Sequence, residues 1–140
     1  MKTILSVTAL LATLLLFAPS RSSAIEDILL VTRDIAKELK FEFQAEASGP
    51  EVIRITLEFP KQGSLDHYSY AVMEIHDGRR LVASALLKEE QAKPDRIRVS
   101  FNADRARLDH FKLRVVTEDG LARAGHVIAI SDFIGIYGVR

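Results

Sequence analysis

The residues that could do chemistry are few and scattered. Four histidines are present, His67, His76, His110 and His126, and imidazole is the side chain that titrates near neutrality and most often ligates transition metals. No pair has the H-x-x-x-H or H-E-x-x-H spacing that sets two ligands on one helical face. Two of the four sit beside aspartates, as His76-Asp77 and Asp109-His110. If the strands carrying them are antiparallel neighbours, the end of one meets the start of the other. His76, Asp77, Asp109 and His110 would then form a two-His, two-Asp set suited to a divalent metal. A metal-binding protein or metal-dependent enzyme built on His76 and His110 is one alternative reading of the chain.

The other catalytic constellations are thinner. Ser64, Asp66 and His67 lie within four positions, but a triad needs residues converging from separate elements, and no G-x-S-x-G elbow exists. The carboxylate pairs Glu89-Glu90 and Glu118-Asp119 fall where loops or turns are expected and read as solvated charge. A glycosidase needs two carboxylates facing across a cleft. No phosphate-cradling glycine loop is present; Gly135 and Gly138 come nearest. The chain has no cysteine, which excludes thiolate catalysis, disulfides, zinc ribbons and lipid attachment through a thioether. The expectation is a non-catalytic protein with no catalytic residue and no cofactor.

Surface chemistry offers more. If Ala71, Met73 and Ile75 face inward, then Tyr68, Tyr70, Val72, Glu74 and His76 face outward, with Lys112 and Arg114 on an adjacent strand. Tyrosine gives large contact area with a polar tip, so Tyr68, Tyr70, His76, Lys112 and Arg114 form a candidate interaction patch. A register slip of one residue would turn Tyr70 and Val72 into the core. Arg96 and Arg98 belong on one sheet and Lys112 and Arg114 on the other, and Glu42, Glu58 and Glu74, facing outward on other strands, are available as cross-strand partners for the group. With 19 basic and 19 acidic side chains, no net positive field argues for nucleic acid.

The elements that must position these residues read as strands. Apolar and polar residues alternate over 39–46, 53–59, 68–76, 80–87, 97–101, 111–116 and 121–130. Residues 27–31 add a front strand or a helical turn, 89–95 read as a polar loop, and 102–109 as a short helical corner capped by Asn102. Asp77-Gly78 and Asp119-Gly120 are hairpin signals. Pro50, Pro60 and Pro94 all fall between strands, as proline's missing donor requires. The result is an all-β chain, a single antiparallel sandwich of seven or eight strands. In architecture it resembles immunoglobulin-like or fibronectin-III-like domains, without their buried tryptophan or disulfide; a small barrel is the alternative. Leu65-Asp66-His67-Tyr68 and Leu108-Asp109-His110-Phe111 echo one another, each reading as a corner where leucine and an aromatic close the end of the core.

The first residues form an address. Lys2 precedes an almost wholly apolar run over 4–17, Pro19 breaks any helix, and Ser22 and Ala24 suit the −3 and −1 positions of a cleavage site. The run is shorter than the roughly 20 residues a spanning helix needs. The expected organisation is a signal peptide over 1–24, a sandwich over 25–134 and a tail over 135–140. The second choice is a cut after Ser20, and the third a retained anchor. The exported chain would be slightly acidic, with 17 basic and 19 acidic groups. It would stand in the periplasm or outside the cell with no membrane span of its own, and without cysteine it must hold itself together by packing. The expected partner is another protein or a cell-surface component. A further alternative is an assembly subunit that donates residues 25–31 or its tail as a strand to a neighbour.

Overall fold

Where apolar alternation is longest, burial is deepest. Residues 53, 55, 57 and 59 put Ile53, Ile55, Leu57 and Phe59 wholly out of solvent, each worth about 1.5–3 kcal/mol relative to exposure. The structure is a computed structural model that describes residues 26–135. The signal-peptide pattern, Ile25 and residues 136–140 of the tail lie outside the described residues.

Chain order runs β1 (Glu26–Leu30), α1 (Arg33–Glu38), β2 (Glu42–Ala47), β3 (Val52–Pro60), β4 (Tyr68–Asp77), β5 (Arg80–Leu86), β6 (Glu89–Lys93), β7 (Arg96–Asp104), β8 (Phe111–Asp119), β9 (Ala122–Ala129) and a last helical turn, α2 (Ile130–Phe133). The protein is mostly β, folded as a sandwich of two sheets. One has the order β1-β9-β8-β4-β5 and the other β2-β3-β7-β6. All pairs are antiparallel except β1 with β9, which run parallel. Between the sheets, the inward residues of β3 and β7 meet Ala71, Leu113, Val115 and Ile128.

The corners echo each other in space as in sequence. Short 3-10 turns over Gly63–Leu65 and Arg105–His110 precede β4 and β8. Leu65 and Leu108 are buried behind them, and Tyr68 and Phe111 follow into the core. The cap of the second turn is Asp104, whose carboxylate accepts from the Ala106 amide at 2.9 Å, and not Asn102. The reason is that β7 runs on to Asp104, opposite Val52.

Two further local expectations are corrected, and one element was not expected at all. Residues 89–93 form β6, because their backbone pairs with β7 although their side chains show no apolar period. Helix α1 was not legible as one: it is six residues long, starts at Thr32, whose hydroxyl accepts from the Ile35 amide at 3.3 Å, and lacks a terminal glycine. It ends on Lys40 at φ 55, with the Phe41 amide reaching back to the Ala36 carbonyl at 2.9 Å, a Schellman closure made without glycine. In the two hairpins, Asp77 pairs with Arg80 and Asp119 with Ala122, so Gly78 and Gly120 take the first turn position at φ 58 and 59. That is the position a II′ turn reserves for glycine.

Candidate functional site

The outward side of the five-stranded sheet brings most of the expected patch together. Registers place Tyr70 beside Val116, Val72 beside Arg114, and Glu74 beside Lys112. They continue to Gly125, Val127 and Ala129 on β9, and from there to Ile28 and Leu30 on β1. A line of charge crosses the middle of this face. Arg114 Nη1 donates to both oxygens of Glu26, at 3.0 and 2.8 Å. Arg114 Nε lies 2.8 Å from Glu74 Oε1, and the other Glu74 oxygen is 2.9 Å from His76 Nε2.

These groups are largely covered although they point away from the core, with Glu74 only 7% exposed. Burial alone would lower the Arg114 pKa, but Glu74 and Glu26 outweigh it and hold the guanidinium above its ordinary value. Gly125 makes the crossing possible. A Cβ there would collide with the Glu26 carboxylate and crowd the Arg114 side chain. The glycine is therefore the gap through which a residue of the first strand reaches one 88 positions later.

At one end of the face, where β1 leaves for α1 and β9 for α2, lies an open groove of about 590 Å³. Leu30, Val127, Ala129 and Phe133 supply apolar wall, and Lys112, Arg33 and Asp132 supply charge. Arg33 is engaged, its guanidinium donating to the Asp132 carbonyl at 3.0 Å. Lys112 is not: among the described residues no carboxylate lies within 4.0 Å of it, whereas Arg114 and Arg123 on the same sheet are both paired.

Tyr68 does not join the patch. The ladder between β4 and β8 shifts register between Tyr68 and Tyr70, and such a bulge lets one extra residue pass without changing the neighbours' faces. Tyr68 turns inward, is 9% exposed and packs edge-on against Phe59 at 5.3 Å between centroids. Burial, with a smaller push from Glu89, raises its phenol to about 12.

The histidines are separated by function as well as by place. His110 does lie beside the end of β4, where its Nδ1 is 2.8 Å from the His76 carbonyl oxygen. The two rings do not converge: His76 turns to Glu74, and His110 has Asp109 at 3.9 Å from its Nε2. Asp77 and Asp109 are exposed. Among the described residues no three His, Cys, Asp or Glu side chains form a metal-holding group. His67 lies at the opposite end of the sheet, 3.7 Å from Asp119, and with Ser64 lines an open depression of about 270 Å³. Both His67 and Asp119 are more than half exposed, so nothing there excludes the water that would weaken a catalytic dyad. His126 faces the core opposite Val115, 3% exposed. Burial lowers its pKa, against a backbone hydrogen bond at Val115 that favours the charged form.

The sequence reading missed Glu26 as the partner of Arg114 and the groove around Lys112. Both depend on the parallel pairing of β1 with β9, which no local residue pattern encodes. Comparison with protein-family models, curated proteins and solved structures finds no match to this chain. Among the described residues no helix is long and apolar enough to cross a membrane.

Proposed function

We propose that the protein is an exported, non-catalytic binding module that docks a protein or cell-surface partner on the outer face of its five-stranded sheet. The observation that carries this reading is Lys112, a cation without a carboxylate partner among the described residues, set in a groove walled by Leu30, Val127, Ala129 and Phe133. A partner fitting it presents an acidic group on an apolar surface, so that the charge pairs with Lys112 while the surface covers the groove. Desolvated charge pairs of this kind supply specificity, and truncating one side of them costs binding.

Two further features support the reading. The leader pattern over 1–24 supports export. Strand order supports an immunoglobulin-like architecture: β2-β3-β7-β6 follows the order A-B-E-D, and β9-β8-β4-β5 follows G-F-C-C′. Domains of that plan commonly recognise other proteins through a sheet face or end loops, an analogy of fold alone.

The test is capture from the exported fraction with immobilised protein, comparing the wild type, Lys112→Glu and Arg54→Glu. Arg54 sits on the outer face of the other sheet, half exposed, and controls for a general change of charge. A partner held by the wild type and by Arg54→Glu but lost by Lys112→Glu, with at least tenfold weaker binding, supports the reading. Equal capture by all three overturns it. Amino-terminal sequencing of the exported protein checks the leader, with Ile25 as the expected first residue.

A further inference from the structure

The two edges of the five-stranded sheet are built unlike the edges of its partner. Among the described residues seven large apolar side chains are exposed. Six of them are on the outermost strands of this one sheet: Ile28, Leu29 and Leu30 on β1, and Leu81, Val82 and Leu86 on β5. Exposure there runs from 43% at Leu29 to 71% at Leu86. Edge strands usually carry charge or proline to discourage pairing with another chain. Residues 81–86 contain neither, and nor do 28–30. The other sheet follows the usual rule: its edges β2 and β6 read E-F-Q-A-E-A and E-E-Q-A-K.

Strand direction and charge say what fits these edges. From β1 parallel to β9, through three antiparallel steps, β5 runs opposite to β1. A second copy placed alongside therefore brings its β5 against β1 as an antiparallel pair, the easier ladder to form. In that pairing Asp27, exposed near the start of β1, lies toward Lys88 just beyond the far end of β5. Arg79 and Arg80, at the start of β5, lie toward Asp34 at the start of α1. Pairing β5 with β5 would instead set Arg79 and Arg80 against the other copy's Lys88, like against like, and would leave β1 uncovered. Pairing β1 with β1 would leave β5 uncovered. Only the β1-to-β5 arrangement covers all six apolar side chains while setting Asp27 toward Lys88 and Asp34 toward Arg79 and Arg80, with Arg33 turned to the Asp132 carbonyl.

We propose that copies of this chain associate head to tail, β5 of one against β1 of the next, so that the five-stranded sheet continues from molecule to molecule. The contact is heterologous and does not close on itself, and a single strand pair is small beside a standard interface. Association is therefore reversible, concentration-dependent and without a fixed stoichiometry. The contact shares Leu30 of β1 with the groove at Lys112, whereas β5 contributes nothing to that groove, so the β5 variants separate the two.

Sedimentation velocity on the purified protein across a concentration series tests it, with Ile28→Lys and Val82→Lys as variants. Both side chains are more than half exposed, so both variants should keep the wild-type circular dichroism; Leu86→Lys serves as a second β5 variant. The wild type is expected to grow past dimer with concentration, and each variant alone to weaken association at least tenfold and stay monomeric. An equimolar mixture of Ile28→Lys and Val82→Lys should form dimers and stop there, since one intact β1 meets one intact β5. A wild type that stays monomeric overturns the proposal. So does a single variant that associates as well as the wild type, which would mean a symmetric contact, and so does a mixture that stays monomeric.

Discussion

The two outer faces of the sandwich use their charges differently. On the four-stranded sheet the charges satisfy one another in pairs. Glu58 takes Arg96 at 2.6 Å and Arg98 at 2.9 Å, Arg96 also reaches Glu42 at 3.2 Å, and Thr56 bonds Ser100 at 3.0 Å. The hydrogen bond from Arg96, then that from Arg98, holds the Glu58 carboxyl below its ordinary pKa. This pairing is as sheltered as the other sheet's, with Arg96 and Glu58 18% and 16% exposed, but here every cation of β3 and β7 has a carboxylate within 4.0 Å. On the five-stranded sheet the ion line through Arg114 is buried under its own side chains, the flanks are apolar, and Lys112 has no acidic partner among the described residues. The second face thus combines exposed apolar surface with a cation that has no carboxylate beside it among the described residues.

The largest effect that sharpens this contrast is on stability. Arg114→Met leaves Glu26 and Glu74, at 18% and 10% side-chain exposure, facing each other without the cation. Breaking a buried pair from one side costs about 3–5 kcal/mol. Arg114 is itself a quarter exposed, so a loss of about 2 kcal/mol is expected after discounting for solvent. Arg98→Met, on the other face and 41% exposed, should cost about 1 kcal/mol or less. Urea denaturation compares the two, and equal losses would erase the distinction between the faces.

A smaller effect isolates the crossing of Glu26. In Gly125→Ala the new methyl occupies the place of the Glu26 carboxylate. The flexible glutamate then swings away and releases Arg114, at a cost of about 1 kcal/mol. Glu26→Gln should cost a similar amount, and the double variant little more than either alone, because both remove one interaction. Additive losses would show that Gly125 acts on something else.

The smallest effect separates the sheets by pH. His126, inside the five-stranded sheet, has a folded pKa below its unfolded value. The unfolded chain therefore takes up the proton first. Stability is full above about pH 6.5 and falls below it, by at most about 1.4 kcal/mol per pH unit for one proton. Glu58, on the four-stranded sheet, is also lowered, so its contribution is present above about pH 4.5 and is lost as pH falls through its folded value. Melting temperatures followed from pH 7.5 to 3.5 should decline in those two windows. His126→Leu should flatten the upper one and Glu58→Gln the lower.

Much of this was legible in the sequence, and the exceptions are instructive. Strict alternation in 53–59 and 111–116 gave the core strands, and the prolines marked their limits. Charge on alternate positions marked Glu42, Glu58 and Glu74 as outward partners for the basic residues, while the choice of Arg96 and Arg98 for Glu58 came from register. What failed was non-local or backbone-borne. Tyr68 faces inward because of a bulge that costs one residue of register, and Ser69, the residue that absorbs it, carries no distinguishing mark. Strand β6 exists through backbone pairing alone. The candidate site was half visible: Tyr70, His76, Lys112 and Arg114 do share a face, while Glu26, Leu30 and Val127 join them only through the pairing of the first strand with the last.

The proposed partner contact is confined to the outer face of the five-stranded sheet. Hydrogen–deuterium exchange on the protein with and without its partner from the exported fraction tests this directly. Added protection is expected in β1, in β9 and around Lys112, with β2, β3 and β7 unchanged. Protection confined to β2, β3 and β7 would contradict it.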